Sequence, residues 1–160
     1  MTAVLVMGVS GCGKTTVAAG VAENLGWTLL EGDVFHPPAN VAKMAAGTPL
    51  TDEDRWPWLR AIAAEAARHD RCVIACSALK RSYRAVIGAD MLVFLDGSKA
   101  LIAERLRARK GHFMPPALLD SQFATLEPPG PDEHPLVVAV DRPPSDLIRT
   151  VIARIGEKSS

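Results

Sequence analysis

Apolar positions along the chain keep two rhythms that alternate from end to end. Short apolar runs of strand length recur at 4–7, 27–30, 72–76, 91–95 and 136–140. Between them the apolar residues are spaced three and four apart, which is the helical period. Val17, Val21 and Leu25 predict a helix over 14–24, with Gly26 placed to end it. Pro37 and Pro38 open a short helix over about 39–46 that stops at Gly47 and Pro49. A longer helix follows to about residue 68, capped by Thr51 or Asp52, and the helix dipole by itself accounts for the acids of its first turn. Leu101, Ile102 and Leu106 mark a helix over 99–110, and Leu119, Phe123 and Leu126 one over 115–126. Leu147, Ile148, Val151, Ile152 and Ile155 mark a closing helix over 145–155. The proline-dense stretch 127–135 reads as loop. Runs such as Cys72-Val73-Ile74-Ala75-Cys76 are apolar without alternation, as in a parallel strand covered on both faces. Five such strands alternating with helices predict an α/β fold, a parallel three-layer sandwich in one domain spanning 1–160.

Composition narrows the class. A chain of 160 residues with 48% hydrophobic and 22% charged side chains suits one soluble core. Its 18 basic and 18 acidic residues cancel, so no global field recruits nucleic acid or an anionic membrane. The apolar runs are far shorter than the ~20 residues of a membrane helix, and no leader pattern precedes the first strand. Cytoplasmic residence is the expectation. Three cysteines fit reducing conditions, with Cys72 and Cys76 read as reduced core residues.

The first strand runs into Gly8-Val9-Ser10-Gly11-Cys12-Gly13-Lys14-Thr15 and then a helix, which is the G-x-x-x-x-G-K-[ST] phosphate-binding loop in its proper setting. Glycines let successive N–H groups converge on an anion at a helix N-terminus. Lys14 then reaches the β- and γ-phosphates of ATP, and the Thr15 hydroxyl serves Mg²⁺. Thr16 completes the nucleotide-side set.

Further along, Glu31-Gly32-Asp33 arrives at the C-terminal end of the second strand, the sheet edge where ligands bind in open α/β folds. Arg55, a cation in a helix's first turn, opposes the dipole and is a candidate anion clamp. Lys80 and Arg84, one turn apart past the third strand, are candidates for substrate or phosphate, whereas Arg81 reads as surface. Arg105 and Arg109, running into Lys110-Gly111-His112-Phe113, suit the base of a lid over phosphates. His36, His69 and His134 read as surface residues. The D-x-x-G and N-K-x-D segments of guanine-nucleotide switches are absent, and strand three ends in Cys76-Ser77 rather than an aspartate. A compact kinase for a small acceptor remains. Alternatives are a kinase for shikimate or another hydroxy acid, and a nucleotide-binding regulatory module.

Several segments together resemble the gluconate kinase family. They are the phosphate loop, Glu31-Gly32-Asp33 with His36-Pro37, Lys43-Met44, Gly47 with Pro49-Leu50, Asp52 with Asp54-Arg55 and Pro57-Trp58-Leu59, and Cys76 to Lys80 with Tyr83-Arg84. Arg109 to Phe113 and Gln122-Phe123 with Thr125-Leu126-Glu127 extend the likeness over nearly the whole chain. The resemblance implies a P-loop kinase fold related to shikimate kinase, with strand order 2-3-1-4-5 and a helical lid at about 110–130. It implies phosphorylation of the 6-hydroxyl of D-gluconate with MgATP by a homodimer. It further implies Asp33 as base, and Arg55 with Lys80 or Arg84, joined by His112, on gluconate. Arg105 and Arg109 would lie over ATP, Arg142-Pro143 at the adenine edge, and Thr15 on Mg²⁺ with Glu31 or Asp33 through water. Two positions depart from the family pattern: Cys12 introduces a thiol open to oxidation, and Glu31 stands where Asp is usual.

Overall fold

A parallel sheet carried by its central strand is what the two-sided apolar runs require, and the computed structural model, which describes residues 2–108 and 116–159, has that form. Among the described residues the strands are β1 (Thr2–Met7), β2 (Thr28–Glu31), β3 (Arg71–Ala75), β4 (Met91–Asp96) and β5 (Leu136–Ala139). They lie in the order β2-β3-β1-β4-β5, every neighbouring pair parallel, with Val4 opposite Val73 on one side and Met91 on the other. The helices are α1 (Lys14–Leu25), α2 (Pro38–Ala45), α3 (Asp52–Ala66), α4 (Arg81–Ile87), α5 (Lys99–Ala108), α6 (Pro116–Thr125) and α7 (Pro144–Ser159).

Alternation along β1 sorts the core into two layers. Val4 and Val6 face α1 and α7, where Val17, Val21, Leu147 and Val151 are buried. Leu5 and Met7 face α3 and α4, packing with Leu59, Ile62, Tyr83 and Ile87. Both faces of β1 are therefore apolar, and the third dimension of the sandwich follows. Cys72 and Cys76 are free thiols in the second layer, as expected of core residues, and burial pushes the Cys76 thiol up to about 12.

Polar contacts supply what the apolar rhythm does not encode. Thr51, not Asp52, caps α3: its hydroxyl accepts from the Asp54 N–H at 3.1 Å while the Asp54 carboxylate accepts from the Thr51 N–H at 2.9 Å. This reciprocal box satisfies two of the donors that a helix start leaves orphaned. Asp54 also receives Lys43 at 2.8 Å, tying α2 to α3. Helix chemistry alone is thus too small an account of these acids, because Asp54 doubles as a tertiary tie and Asp52 is freed for another role.

Arg84 requires a correction. It is buried, at 6% exposure, and its guanidinium donates to both Glu133 oxygens at 2.8 and 3.1 Å, to the Ala78 and Leu79 carbonyls, and to the Glu127 carbonyl at 3.0 Å. Its five donors are spoken for. Instead of touching substrate, Arg84 holds the 127–133 loop, with its 3₁₀ turn Pro131–Glu133, against the exit of β3. The Glu127 N–H adds a bond to the Leu79 carbonyl at 2.7 Å. Burial beside five acceptors overrides the expectation drawn from a cation near a sheet edge.

Two outcomes check these ties. Arg84→Ala takes the buried cation from Glu133 and the side-chain donor from the Ala78, Leu79 and Glu127 carbonyls, of which only Leu79 keeps another, the Glu127 N–H, so urea unfolding should show a loss of about 3 kcal/mol or more; unchanged stability would return Arg84 to the substrate set. Asp54 is held at about 2, against a usual 3.8, first by Lys43 and then by the Thr51 N–H. A depressed carboxyl stabilises the fold fully above its unfolded value and loses that contribution as pH falls through its folded value. The stability difference between the native chain and Lys43→Met should therefore shrink between pH 3.8 and about 2. A difference constant across that window would show that the pair contributes no linkage.

Candidate active site

Strand ends on one sheet edge bring the chemistry together. β1 leads into the phosphate loop, whose Gly13 adopts φ 95° as the residue before α1. That left-handed backbone is open to glycine at little steric cost and turns the chain sharply into the helix. Gly11, Gly13, Lys14, Thr15 and Thr16 line a concavity at the start of α1, where N–H groups lack helical partners. Lys14 Nζ donates to the Val9 carbonyl at 3.3 Å, within the loop. Val9 and Cys12 lie beneath the concavity in the core. Cys12 is 1% exposed, and burial raises its pKa, so the expected open thiol is instead a protonated core group.

Glu31 ends β2 beside this loop. Its Oε2 accepts from the Thr15 hydroxyl at 3.3 Å, and its Oε1 is buried with no hydrogen-bond partner. An unpaired buried carboxylate oxygen is costly unless a cation or a water completes it. Beside a phosphate nest and a threonine hydroxyl, this oxygen fits an all-oxygen Mg²⁺ environment. Among the described residues no group of three or more His, Cys, Asp or Glu forms a protein cage for a metal, so phosphate oxygens and water would have to supply the remaining ligands.

Gly32 lets the next residues turn back over β3: a Cβ there would sit 2.7 Å from the Ala75 carbonyl. The turn Gly32–Phe35 then presents Asp33 to solvent, and the Trp58 indole N–H clamps the Gly32 carbonyl at 2.7 Å. Lys14 follows β1 and Asp33 follows β2, so in the parallel order β2-β3-β1 both lie at the same sheet edge, on either side of the end of β3. His36, expected at the surface, is half-buried and stacked on Trp58 with ring centroids 4.1 Å apart. Asn40 is buried because its amide donates to the Asp54 carbonyl at 2.9 Å and approaches His36 Nδ1 at 3.2 Å. The amide nitrogen has only protons to offer, so Nδ1 is the acceptor and Nε2 carries the ring proton. Burial lowers the His36 pKa and keeps the ring neutral.

Across from Asp33, α3 and α4 build a charged cluster. Tyr83 donates to Asp52 at 2.5 Å, Arg55 donates to the Tyr83 oxygen at 3.0 Å, and Lys80 lies 3.2 Å from both Asp52 oxygens. Arg55 and Lys80 also stand over the Tyr83 ring. The Tyr83 hydroxyl, then Lys80, hold the Asp52 carboxyl below its usual range. Burial and Asp52 push the Tyr83 hydroxyl up to about 12, so it stays a neutral donor. Two cations against one carboxylate leave one positive charge, suited to an anionic acceptor. Asp52 and Tyr83 escape sequence reasoning because each has an ordinary reading, a helix-start acid and a core aromatic. Only the choice of Thr51 as cap leaves Asp52 spare.

On the nucleotide side, Ile102 and Leu106 of α5 pack against Gly11. Arg105 donates to the Val140 carbonyl, at the start of the turn holding Arg142 and Pro143. Its charge also reaches Cys12 within the loop. Arg105 thus ties α5, the helix that packs on Gly11 of the phosphate loop, to that exposed turn. Arg109 and His112 lie outside the described residues. Gln122 of α6, to which sequence gave no role, hydrogen-bonds twice to Ser10 of the loop.

Comparison with known proteins gives the geometry its context. Residues 4–129 match the model of a family described as an AAA domain. The chain is 49% identical over 156 residues to a gluconokinase of Gluconobacter oxydans, covering 92% of this chain and 88% of that protein. It superposes on the crystal structure of a gluconokinase from Sinorhizobium meliloti 1021 with a TM-score of 0.90 and 45% identity, over 98% of this chain and 94% of the other. A shikimate kinase from Bacteroides thetaiotaomicron shares the fold alone, with a TM-score of 0.69 at 18% identity over 98% and 97% of the two chains. With a phosphate nest, an acidic strand end and a cationic acceptor cluster on one sheet edge, and likeness to these relatives along nearly its full length, the chain belongs to the gluconokinase family of P-loop kinases.

Proposed function

We propose that this chain transfers the γ-phosphoryl group of ATP to the 6-hydroxyl of D-gluconate, giving 6-phospho-D-gluconate and ADP. The observation that carries the reading is the net-positive Asp52–Arg55–Lys80–Tyr83 cluster, which belongs to the same ligand-binding edge as the phosphate nest in a member of this family. Membership also favours gluconate over shikimate and over a regulatory role.

Transfer of this kind asks the protein for position and charge more than for covalent chemistry. Gly8 to Thr16 cradle the phosphates, and Lys14 supplies a mobile positive charge to them. Arg55 and Lys80 clamp the gluconate carboxylate while the Tyr83 hydroxyl, braced by Asp52, orders the polyol. Asp33, on a turn fixed by Trp58, orients the 6-hydroxyl along the line of transfer and takes its proton. Arg105 and Arg109 close over the nucleotide, with Arg142 and Pro143 at its adenine edge, and His112 joins the acceptor side. Mg²⁺, held by Thr15 with Glu31, would neutralise charge on the β- and γ-oxygens.

The chain works as one domain over 1–160 with a lid at about 110–130, as a homodimer, and in the cytoplasm. The described helices include none long and apolar enough to cross a membrane, and the three cysteines are free and buried.

ADP release measured with MgATP against D-gluconate, shikimate, other sugar acids and no acceptor tests the assignment. Stimulation by gluconate alone is expected; stimulation only by another acid would move the specificity, and none above the blank would remove the kinase activity. Asp33→Asn should lower kcat by about 10²-fold or more with little change in the KM for ATP. Full activity in that variant would exclude Asp33 as base.

A further inference from the structure

We infer that Gln122 is a positioning residue for the nucleotide, acting through one peptide plane of the phosphate loop. Its side-chain oxygen accepts from the Ser10 N–H at 2.7 Å and its side-chain nitrogen donates to the Ser10 hydroxyl at 2.9 Å. The orientation of the amide is fixed by chemistry, since a backbone N–H offers only a proton and must face the oxygen. Both ends of Gln122 are spent on a residue 112 positions away.

The Ser10 N–H and the Val9 carbonyl belong to the same planar unit, so fixing one fixes the direction of the other. That carbonyl accepts from Lys14 Nζ at 3.3 Å and from the Cys12 N–H at 3.3 Å. A single contact from α6 therefore sets the carbonyl that orders both the loop's lysine and its inner turn. Without it the 9–10 peptide keeps only the two long bonds on its carbonyl, and more of the nest must be ordered by the nucleotide at the cost of binding.

α6 does not need Gln122 to stay in place. Leu119 is buried in the core, Phe123 and Leu126 pack against it, and the Glu127 N–H bonds to the Leu79 carbonyl at 2.7 Å. The same helix is the core-anchored part of the segment assigned to the lid. Gln122 is thus the point at which that part of the chain bears on the phosphate site, and this role rests on the kinase reading above.

Gln122→Met keeps the length of the side chain and removes both hydrogen bonds. The expected result is about a tenfold rise in the KM for ATP, a KM for gluconate within about twofold, and an unchanged melting temperature without ligand. Titration calorimetry with ADP should show the same loss. Ser10→Ala should weaken ADP less, and should add little on the Gln122→Met background, because the two changes share one contact. If Gln122→Met does not fold, Gln122→Asn, one methylene shorter, withdraws the same contacts. A native-like ADP affinity would overturn the role, as would a loss shared equally by both substrates with a fallen melting temperature. The ADP titration reads Gln122 even if the native chain shows no gluconate-dependent turnover, which would count against the proposed function instead.

Discussion

The central placement of β1 is the constraint on which the other features depend. A strand paired on both sides and covered on both faces has one free end for chemistry, its C-terminal edge, and there the chain turns into the phosphate loop. Because every neighbour is parallel, β2 and β3 deliver their own ends to the same edge. Glu31, Asp33 and Lys80 are thereby gathered without any direct contact to Lys14. The sheet supplies the convergence, and the Gly8 N–H on the Ser77 carbonyl, at 3.3 Å, joins the loop to the exit of β3.

Convergence alone leaves side chains free to wander, and a set of polar ties removes that freedom. Trp58 on the Gly32 carbonyl fixes the turn that presents Asp33. The Thr51 capping box fixes the start of α3 and so the position of Arg55. Arg84 fixes the proline-rich loop against the start of α4, the helix that carries Tyr83 and follows Lys80. The Trp58 and Arg84 ties satisfy polar groups that would otherwise be costly in the interior, so the same bonds hold the fold and aim the site.

The two halves of the site differ in the kind of charge they use. In the proposed reaction, backbone N–H groups and one lysine serve the phosphates, where a chain turn provides the donors. In the same proposal, side-chain cations braced by Asp52 and Tyr83 serve the acceptor, where a rigid pattern has to match a small polyhydroxy acid. Glu31 meets the Thr15 hydroxyl with one carboxylate oxygen, while its other oxygen is buried and unpaired.

Read in one dimension, the chain determined its strands, their parallel three-layer packing, the phosphate loop and the acidic strand end, because periodicity and glycine spacing are local physics. The family resemblance added the strand order and the acceptor. Residue roles that depend on a distant partner were not legible. Arg84 read as an open cation until Glu133 and three carbonyls enclosed it, and His36 read as surface until Trp58 and Asn40 covered it. Asp52 read as a helix-start acid until Tyr83 and Lys80 closed on it, and Gln122 counted only toward the family likeness, with no role of its own, before α6 met Ser10. In each case the deciding term is who satisfies a polar group. That choice belongs to the tertiary structure, since the partners lie tens of residues apart and no local pattern carries the distance between them.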